Sequence, residues 1–222
     1  MASSMQLMKT LVAITCFCFC LACSITVRGY DQLVFTPLNQ EQQVQVLIEP
    51  QLSLASVYVE EQEWSKAEQV LESLRDQIKQ INNQPIIFRY LMMLANVSFA
   101  GGDSEVALSY FEQAEYYNDS YDLQLIDIEH WFTKARILNA LKQFDQAKQI
   151  NNTIEQRFRE SVLTSSTIDQ LEFIEIKADT AAGLGQLALS FSLLEQYLTK
   201  FIDQQNKLTK ENSVRLENKY QS

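Results

Sequence analysis

Few residues of this sequence have the type and spacing that chemistry requires. His130 is the only histidine, so a histidine metal site would lack its second imidazole, and we interpret His130 as a packing or capping residue. Gly183-Leu184-Gly185 lacks the third glycine and the preceding strand of a dinucleotide-binding loop. The carboxylates at 60, 61 and 63 are typical of a solvated helix face rather than of an acid–base pair. The sequence therefore predicts a protein that is not an enzyme and has no cofactor or metal site.

The thiols lie close together near the N-terminus, at Cys16, Cys18, Cys20 and Cys23. They belong to an uncharged run from Leu11 to Val27 that follows Lys9, a pattern typical of an export signal. Cleavage after Gly29 would leave a chain with no cysteine, and therefore with neither a disulfide nor a cysteine metal site.

The same segment, 1–29, fits two other forms. Its 17 uncharged residues reach the lower limit for a membrane span, so it could stay as an uncleaved anchor. Cys20-Leu21-Ala22-Cys23 resembles the lipid-attachment motif of bacterial lipoproteins, with Cys23 as the lipidated residue. Assuming a bacterial origin, we expect an exported protein that is periplasmic or membrane-anchored facing the periplasm.

Charge and composition restrict the partners and the fold. Lys9 and Arg28 are the only charged residues of segment 1–29, so the rest of the chain has 16 basic against 28 acidic residues, a net charge of −12. Because this charge repels phosphate backbones, we expect no nucleic-acid partner. Three prolines and five glycines, with abundant Gln, Leu, Ala and Glu, predict an all-helical body.

Small residues recur at a fixed spacing. Pairs twelve residues apart are displaced by 40 from one pair to the next: Ala55 and Ala67, Ala95 and Ala107, Ala135 and Ala147. Apolar residues three and four apart around these pairs predict helices, and the short breaks between them predict antiparallel hairpins. We predict a fourth unit near Ala188, displaced by 41, with Ile176 in place of the first alanine.

The second unit carries a family pattern: Leu94-Ala95, Gly102-Asp103, Ala107-Leu108, Tyr110-Phe111 and Ala114. In order and spacing it resembles the tetratricopeptide repeat family, over about residues 48–200, although the 40-residue period is longer than the usual 34 of the family. The resemblance implies an all-α, right-handed superhelical solenoid of about four helical hairpins. The expected organisation is the export segment 1–29, a lead-in 30–46, the repeat domain 47–200 and a helical tail 201–222.

The resemblance also implies a ligand groove lined by the first helix of each hairpin. Carrying the family positions over gives Arg89, Met92, Asn96 and Phe99 in the second unit, Phe132, Arg136 and Asn139 in the third, and Phe173 and Lys177 in the fourth. Three of these residues are basic, so we expect a positive strip that could hold a peptide backbone and a carboxylate.

The expected function is that of a non-enzymatic extracytoplasmic scaffold that holds a peptide or partner protein, with a membrane involved only through the N-terminal segment. One alternative is a free-standing or truncated sensor domain of a bacterial sensor kinase or diguanylate cyclase system, because residues 194–221 look like the region where such arrays approach a membrane helix. Another is an envelope assembly lipoprotein, which depends on lipidation of Cys23.

Overall fold

The computed structural model describes residues 23–27, 33–37, 40–160 and 166–220. These residues form two strands, followed by eight helices. In chain order the elements are β1 (Cys23–Val27), β2 (Leu33–Pro37), α1 (Gln40–Glu60), α2 (Trp64–Ile78), α3 (Gln84–Ala100), α4 (Ser104–Ser120), α5 (Ile128–Ala140), α6 (Phe144–Glu160), α7 (Thr167–Gly183) and α8 (Leu187–Tyr220). The predicted all-helical body is confirmed for residues 40–160 and 166–220.

The two strands form an antiparallel pair ahead of the helices. Ile25 lies opposite Phe35 in this pair, and Cys23 lies opposite Pro37. Sequence analysis did not predict these strands; β1 falls within the expected export segment, most of which (1–22, 28–29) lies outside the described residues. In the part of the chain that the structure describes, no helix has the length and apolar content needed to cross a membrane.

The helices pack as four consecutive hairpins: α1 with α2, α3 with α4, α5 with α6, and α7 with α8. The second helix of each hairpin also packs on the first helix of the next one. First helices contact one another as well, α1 with α3 and α5 with α7. Because of these contacts, α1 lies beside α3 and α5 lies beside α7.

All four hairpins turn in the same way, through three residues whose middle residue is left-handed. The middle residues are Gln62, Gly102, Lys142 and Gly185, with φ of 57°, 87°, 59° and 75°. In the second hairpin the amide of Asp103 donates to the carbonyl of Ser98 at 3.0 Å, and the Asp103 side chain accepts from the amide of Val106 at 3.3 Å. Gly101 is therefore the C-cap of α3, Gly102 supplies the left-handed residue after it, and Asp103 is the N-cap of α4.

This common turn corrects the position of the fourth repeat. The small pair lies seven residues before and five residues after the left-handed residue, which places the fourth pair at Ala178 and Ser190, 1% and 8% exposed. The prediction of Ala188 with Ile176 is therefore wrong by two residues. The fourth turn follows the third by 43 residues, chiefly because α7 has 17 residues where α5 has 13.

Phenylalanine side chains fill much of the space between hairpins. Phe111 of α4 is fully buried in the core shared by the first two hairpins. Phe132, Phe158 and Phe173 bring their ring centroids within 5.3–6.2 Å of one another. This aromatic cluster joins α5, α6 and α7, so it connects the third hairpin to the fourth.

A polar bridge replaces an apolar contact in the third repeat. Asn151 of α6 occupies the position that Phe111 has in α4, and it is buried. Its Nδ2 donates to Thr180 Oγ1 at 2.9 Å. The Thr180 hydroxyl in turn donates to Asn139 Oδ1 at 3.0 Å. A buried polar group needs such partners, so three residues of α5, α6 and α7 hold these helices in one register.

Candidate functional site

The corrected register changes which residues of α7 face the predicted groove. The third and fourth turns are 43 residues apart, so the residues of α7 equivalent to Phe132 and Arg136 are Glu175 and Asp179. The sequence predicted Phe173 and Lys177 at these positions. Phe173 is buried, and Lys177 Nζ lies 3.5 Å from Glu155 Oε1 of α6 and 5.3 Å from the centroid of the Phe173 ring. Neither residue therefore belongs to the surface that carries Arg136.

Most of the apolar residues predicted for the groove are core residues. Met92 and Phe132 are buried, as Phe173 is, because these positions face the neighbouring hairpin. Phe99 is half-buried at the end of α3. Met92, Phe132 and Phe173 are thus packing residues, which corrects their assignment as ligand contacts. Phe99 is the predicted apolar residue that keeps access to solvent.

Both predicted arginines are ion-paired with glutamates of a neighbouring first helix. Arg89 Nη1 lies 2.9 Å from Glu49 Oε2 of α1. Arg136 Nη1 lies 2.9 Å from Glu172 Oε1 of α7, and its Nη2 is 4.0 Å from Glu175 Oε2. The expected positive strip is therefore wrong, because Glu49 and Glu172 neutralise its two arginines.

The predicted amide residues make contacts between helices. Asn96 Oδ1 accepts from Thr133 Oγ1 at 3.4 Å, which links α3 to α5. Asn139 Nδ2 donates to the carbonyl of Ile176 at 3.3 Å, and its Oδ1 accepts from Thr180. Asn139 consequently serves the packing of α5 on α7, whereas Asn96 lies between Arg89 and Arg136 along the first helices.

We define the first-helix surface as the outward side chains that these contacts place side by side: Arg89, Asn96, Thr133, Arg136, Glu172 and Glu175. Burial raises the pKa of the Glu172 carboxyl; Arg136 opposes this shift, while Glu129, Asp169 and Glu175 add to it. Glu172 and Glu175 are thus the carboxylates that contact the Arg136 guanidinium, while Glu129 and Asp169 act on the Glu172 carboxyl. Acidic side chains outnumber basic ones in this part of the surface.

Three acids that sequence analysis missed occupy the repeat position that Arg89 has in the second hairpin. Thirteen residues before each left-handed turn residue lie Glu49, Arg89, Glu129 and Glu172. Alignment on the turns would have identified them. The signal was hidden because two of the turns have Gln62 and Lys142 in place of glycine, and because serine replaces alanine at 190.

His130 caps the start of α5, as the sequence analysis expected. Its backbone amide donates to Asp127 Oδ1 at 3.1 Å, and its ring Nδ1 lies 3.1 Å from the amide nitrogen of Asp127 and 2.5 Å from Asp127 Oδ1. The imidazole also lies against Phe88, with 5.6 Å between ring centroids. These contacts form a capping box, which satisfies amides that the helix itself leaves without partners.

The Asp127→Ala variant should lose about 1 kcal/mol of unfolding free energy at neutral pH, because an amide of α5 loses its cap. The hydrogen bond with the His130 side chain lowers the pKa of Asp127, and so does the backbone of His130, while burial acts in the opposite direction. Because the pKa of this carboxyl is lower in the folded chain than in the unfolded chain, its ionised form stabilises the fold above the unfolded-state pKa. This stabilisation is lost as the pH falls through the folded-state pKa. Denaturant melts at neutral and acidic pH should thus show the variant's deficit shrinking in acid.

The matched control for this cap is Glu112→Ala, which removes an exposed carboxylate from the middle of α4. It should change the unfolding free energy by less than about 0.5 kcal/mol at either pH. A deficit of Asp127→Ala that stayed constant between the two pH values would contradict the capping role of the ionised carboxylate.

The described residues include no group of three or more His, Cys, Asp or Glu side chains arranged to hold a metal ion. A shallow depression of about 400 Å³ is lined by α8 residues alone, Ser192, Glu195, Gln196, Thr199 and Lys200, and includes no predicted site residue. Comparisons with protein-family models, curated proteins and solved structures found no match.

Proposed function

We propose that this chain is a non-enzymatic binding scaffold of the tetratricopeptide type, exported from the cytoplasm, which holds a peptide or partner protein on its first-helix surface. In this proposal the four hairpins form a right-handed superhelical solenoid, and the first helices line its concave side. One observation carries the proposal: four hairpins share one turn geometry and one pattern of buried small residues. Arrays of equivalent hairpins present extended surfaces made of equivalent positions.

The charges of the first-helix surface indicate a basic ligand. A ligand carboxylate would have to displace Glu49 from Arg89 or Glu172 from Arg136, both at 2.9 Å. A lysine or arginine side chain would instead pair with Glu129 and share Glu172 and Glu175 with Arg136, since an ionised carboxylate accepts several hydrogen bonds. Complementary charge steers association and selects partners, so we propose an extended peptide with a cationic side chain between α5 and α7.

Replacement of Arg136 tests the sign of the ligand charge. The test compares two labelled peptides that are identical in their alanine and leucine residues. One has lysine at the remaining positions and the other has glutamate there. Arg136→Gln should tighten the lysine peptide by roughly tenfold, since one close charge interaction changes the binding free energy by about 1.4 kcal/mol. Fluorescence anisotropy at low and high salt measures this change, and the gain should shrink as salt rises.

Removal of two carboxylates from the first-helix surface is the converse test: the double variant Glu172→Gln, Glu175→Gln should bind the lysine peptide more weakly. The matched control removes two exposed carboxylates next to and on α2: the double variant Glu61→Gln, Glu68→Gln should bind the lysine peptide with unchanged affinity. If the parent chain instead preferred the glutamate peptide and Arg136→Gln lost this preference, the ligand would be bound through a carboxylate, as the sequence predicted. If neither peptide binds, or if both double variants bind equally well, the first-helix surface is not the ligand site.

A further inference from the structure

The last helix presents an apolar stripe to solvent. We define the α8 stripe as Leu187, Phe191, Leu194, Leu198, Phe201 and Leu208, which are 40–66% exposed. The side of α8 about a quarter turn from the stripe, at Ser190 and Leu193, is buried against α7. Phe201 stacks on Tyr197 of the same helix, with 6.1 Å between the ring centroids, while the exposures of the six side chains show that the stripe is open to solvent among the described residues.

Comparison with the other second helices shows that an open end of the array does not by itself explain this stripe. Leu194 is equivalent to Leu71 and Phe111, which are buried beneath the following hairpin. Phe191 is equivalent to Glu68, Leu108 and Lys148; Leu108 is half-buried, whereas the two charged residues are exposed. Leu198 is equivalent to the charged residues Arg75, Glu115 and Glu155. The stripe is therefore apolar at one position where all three inner hairpins are charged, and at a second position where two of them are charged.

The stripe has the spacing of a coiled coil. From Leu187 to Leu208 the steps are four, three, four, three, four and three residues, with Gln205 as the polar member. This 3.5-residue period is the signature of two helices that wrap around one another, and single polar core residues are common in two-stranded coils. α8 has 34 residues against 17 in α7, so about half of it extends past its hairpin partner.

The charge along α8 changes sign between its two halves. Residues 187–203 have Glu195 and Asp203 against Lys200, a net charge of −1, whereas residues 204–215 have three basic side chains against Glu211, a net charge of +2. α7 is acidic, with four carboxylates against Lys177, a net charge of −3. An antiparallel pair would place the positive half of one α8 beside the negative half and the acidic α7 of the other copy.

We propose that the α8 stripe binds the α8 of a second copy of this chain, as an antiparallel two-stranded coiled coil. Pairing centred between Leu198 and Phe201 brings Phe191 opposite Leu208 and Leu194 opposite Gln205 of the other copy. The six stripe residues are 40–66% exposed, and the removal of such apolar surface from water drives association. This inference does not depend on the proposed ligand surface.

Light scattering and sedimentation of the full chain, in the form that the expressing cell produces, test the proposal. The chain should have twice the mass of one copy at micromolar concentration. Leu198→Glu should raise the dissociation constant by at least about 100-fold, because it would bury an unpaired carboxylate in the seam. The matched control is Leu189→Glu on the same helix, which lies off the stripe but is exposed to a similar extent, 49% against 57%.

Equal helical content and equal melting curves of the monomeric forms would show that both variants fold. A chain that is monomeric at all concentrations would overturn the proposal, and would mean that its own N-terminal segment or a different partner covers the stripe. A dimer that resists Leu198→Glu, or that Leu189→Glu disrupts equally, would overturn it as well.

Cross-linking determines the direction of the pair, in a chain whose four cysteines are replaced by serine. Leu194→Cys mixed with Gln205→Cys should form a disulfide between the two variants, while Gln205→Cys alone should not cross-link. Cross-linking of Gln205→Cys to itself would show a parallel pair and would overturn the antiparallel assignment, since in that arrangement residues 205 face each other.

Discussion

The Phe132→Ala variant should lose about 3–5 kcal/mol of unfolding free energy, the range found for a buried phenylalanine whose removal leaves a cavity. The Phe132 side chain is 1% exposed, and its ring lies 6.2 Å from the rings of both Phe158 and Phe173. Because these rings come from three helices, the neighbours cannot collapse into the space without moving a helix. Chemical denaturation monitored by circular dichroism measures the loss.

Tyr116→Ala is the matched control, since it removes a similar ring that is 68% exposed on α4. It should cost less than about 1 kcal/mol. The same comparison tests the correction made to Phe132 as a ligand contact. If Phe132→Ala were as stable as the parent chain while peptide binding disappeared, Phe132 would be a groove residue after all.

Gly183→Ala should lower the unfolding free energy by about 1–3 kcal/mol through overpacking. A Cβ at Gly183 would overlap the ring of Phe144, the first residue of α6. Gly183 therefore lets the end of α7 lie directly against the start of the preceding second helix. Thermal and denaturant melts of the variant would measure how much this close approach contributes.

Two further variants make the test specific. Gly101→Ala should change stability by less than about 0.5 kcal/mol, since a Cβ there would meet only carbonyl oxygens at an ordinary 3.5 Å, and its φ of −72° suits any residue. Combining Gly183→Ala with Phe144→Ala should cost less than the sum of the two single changes, because residues in contact are not independent. Additive losses would show that the two residues are not in contact.

The hairpins were predictable from sequence because local chemistry specifies them. Alanine pairs twelve residues apart mark where paired helices cross, and Gly102 with Asp103 supplies a turn whose conformation glycine adopts without strain. The fourth hairpin was placed two residues from its true register, because its small pair is Ala178 and Ser190 and a longer helix precedes its turn. The strand pair of β1 and β2 was not predicted, since the apolar run at residues 11–27 fits an export segment as well as a strand.

The candidate surface was harder to predict, because its character depends on pairs of residues from different repeats. Sequence analysis identified Arg89 and Arg136, but their partners Glu49 and Glu172 lie 40 and 36 residues away. A one-dimensional pattern shows that an arginine is on a helix face. It does not show which acid the next helix brings within 3 Å, and that acid reverses the sign of the expected ligand charge.

The sequence by itself determined that this protein is a set of helical hairpins with small residues at the crossings, because helix periodicity, capping and turn chemistry are local. Only the tertiary structure decided that Met92, Phe132 and Phe173 are core residues, that glutamates neutralise the arginines, and that α8 leaves an apolar stripe uncovered. Each of these properties depends on which helix packs beside which. The lateral packing of hairpins displaced by 40 or 43 residues sets burial and charge pairing, and no local signal encodes it.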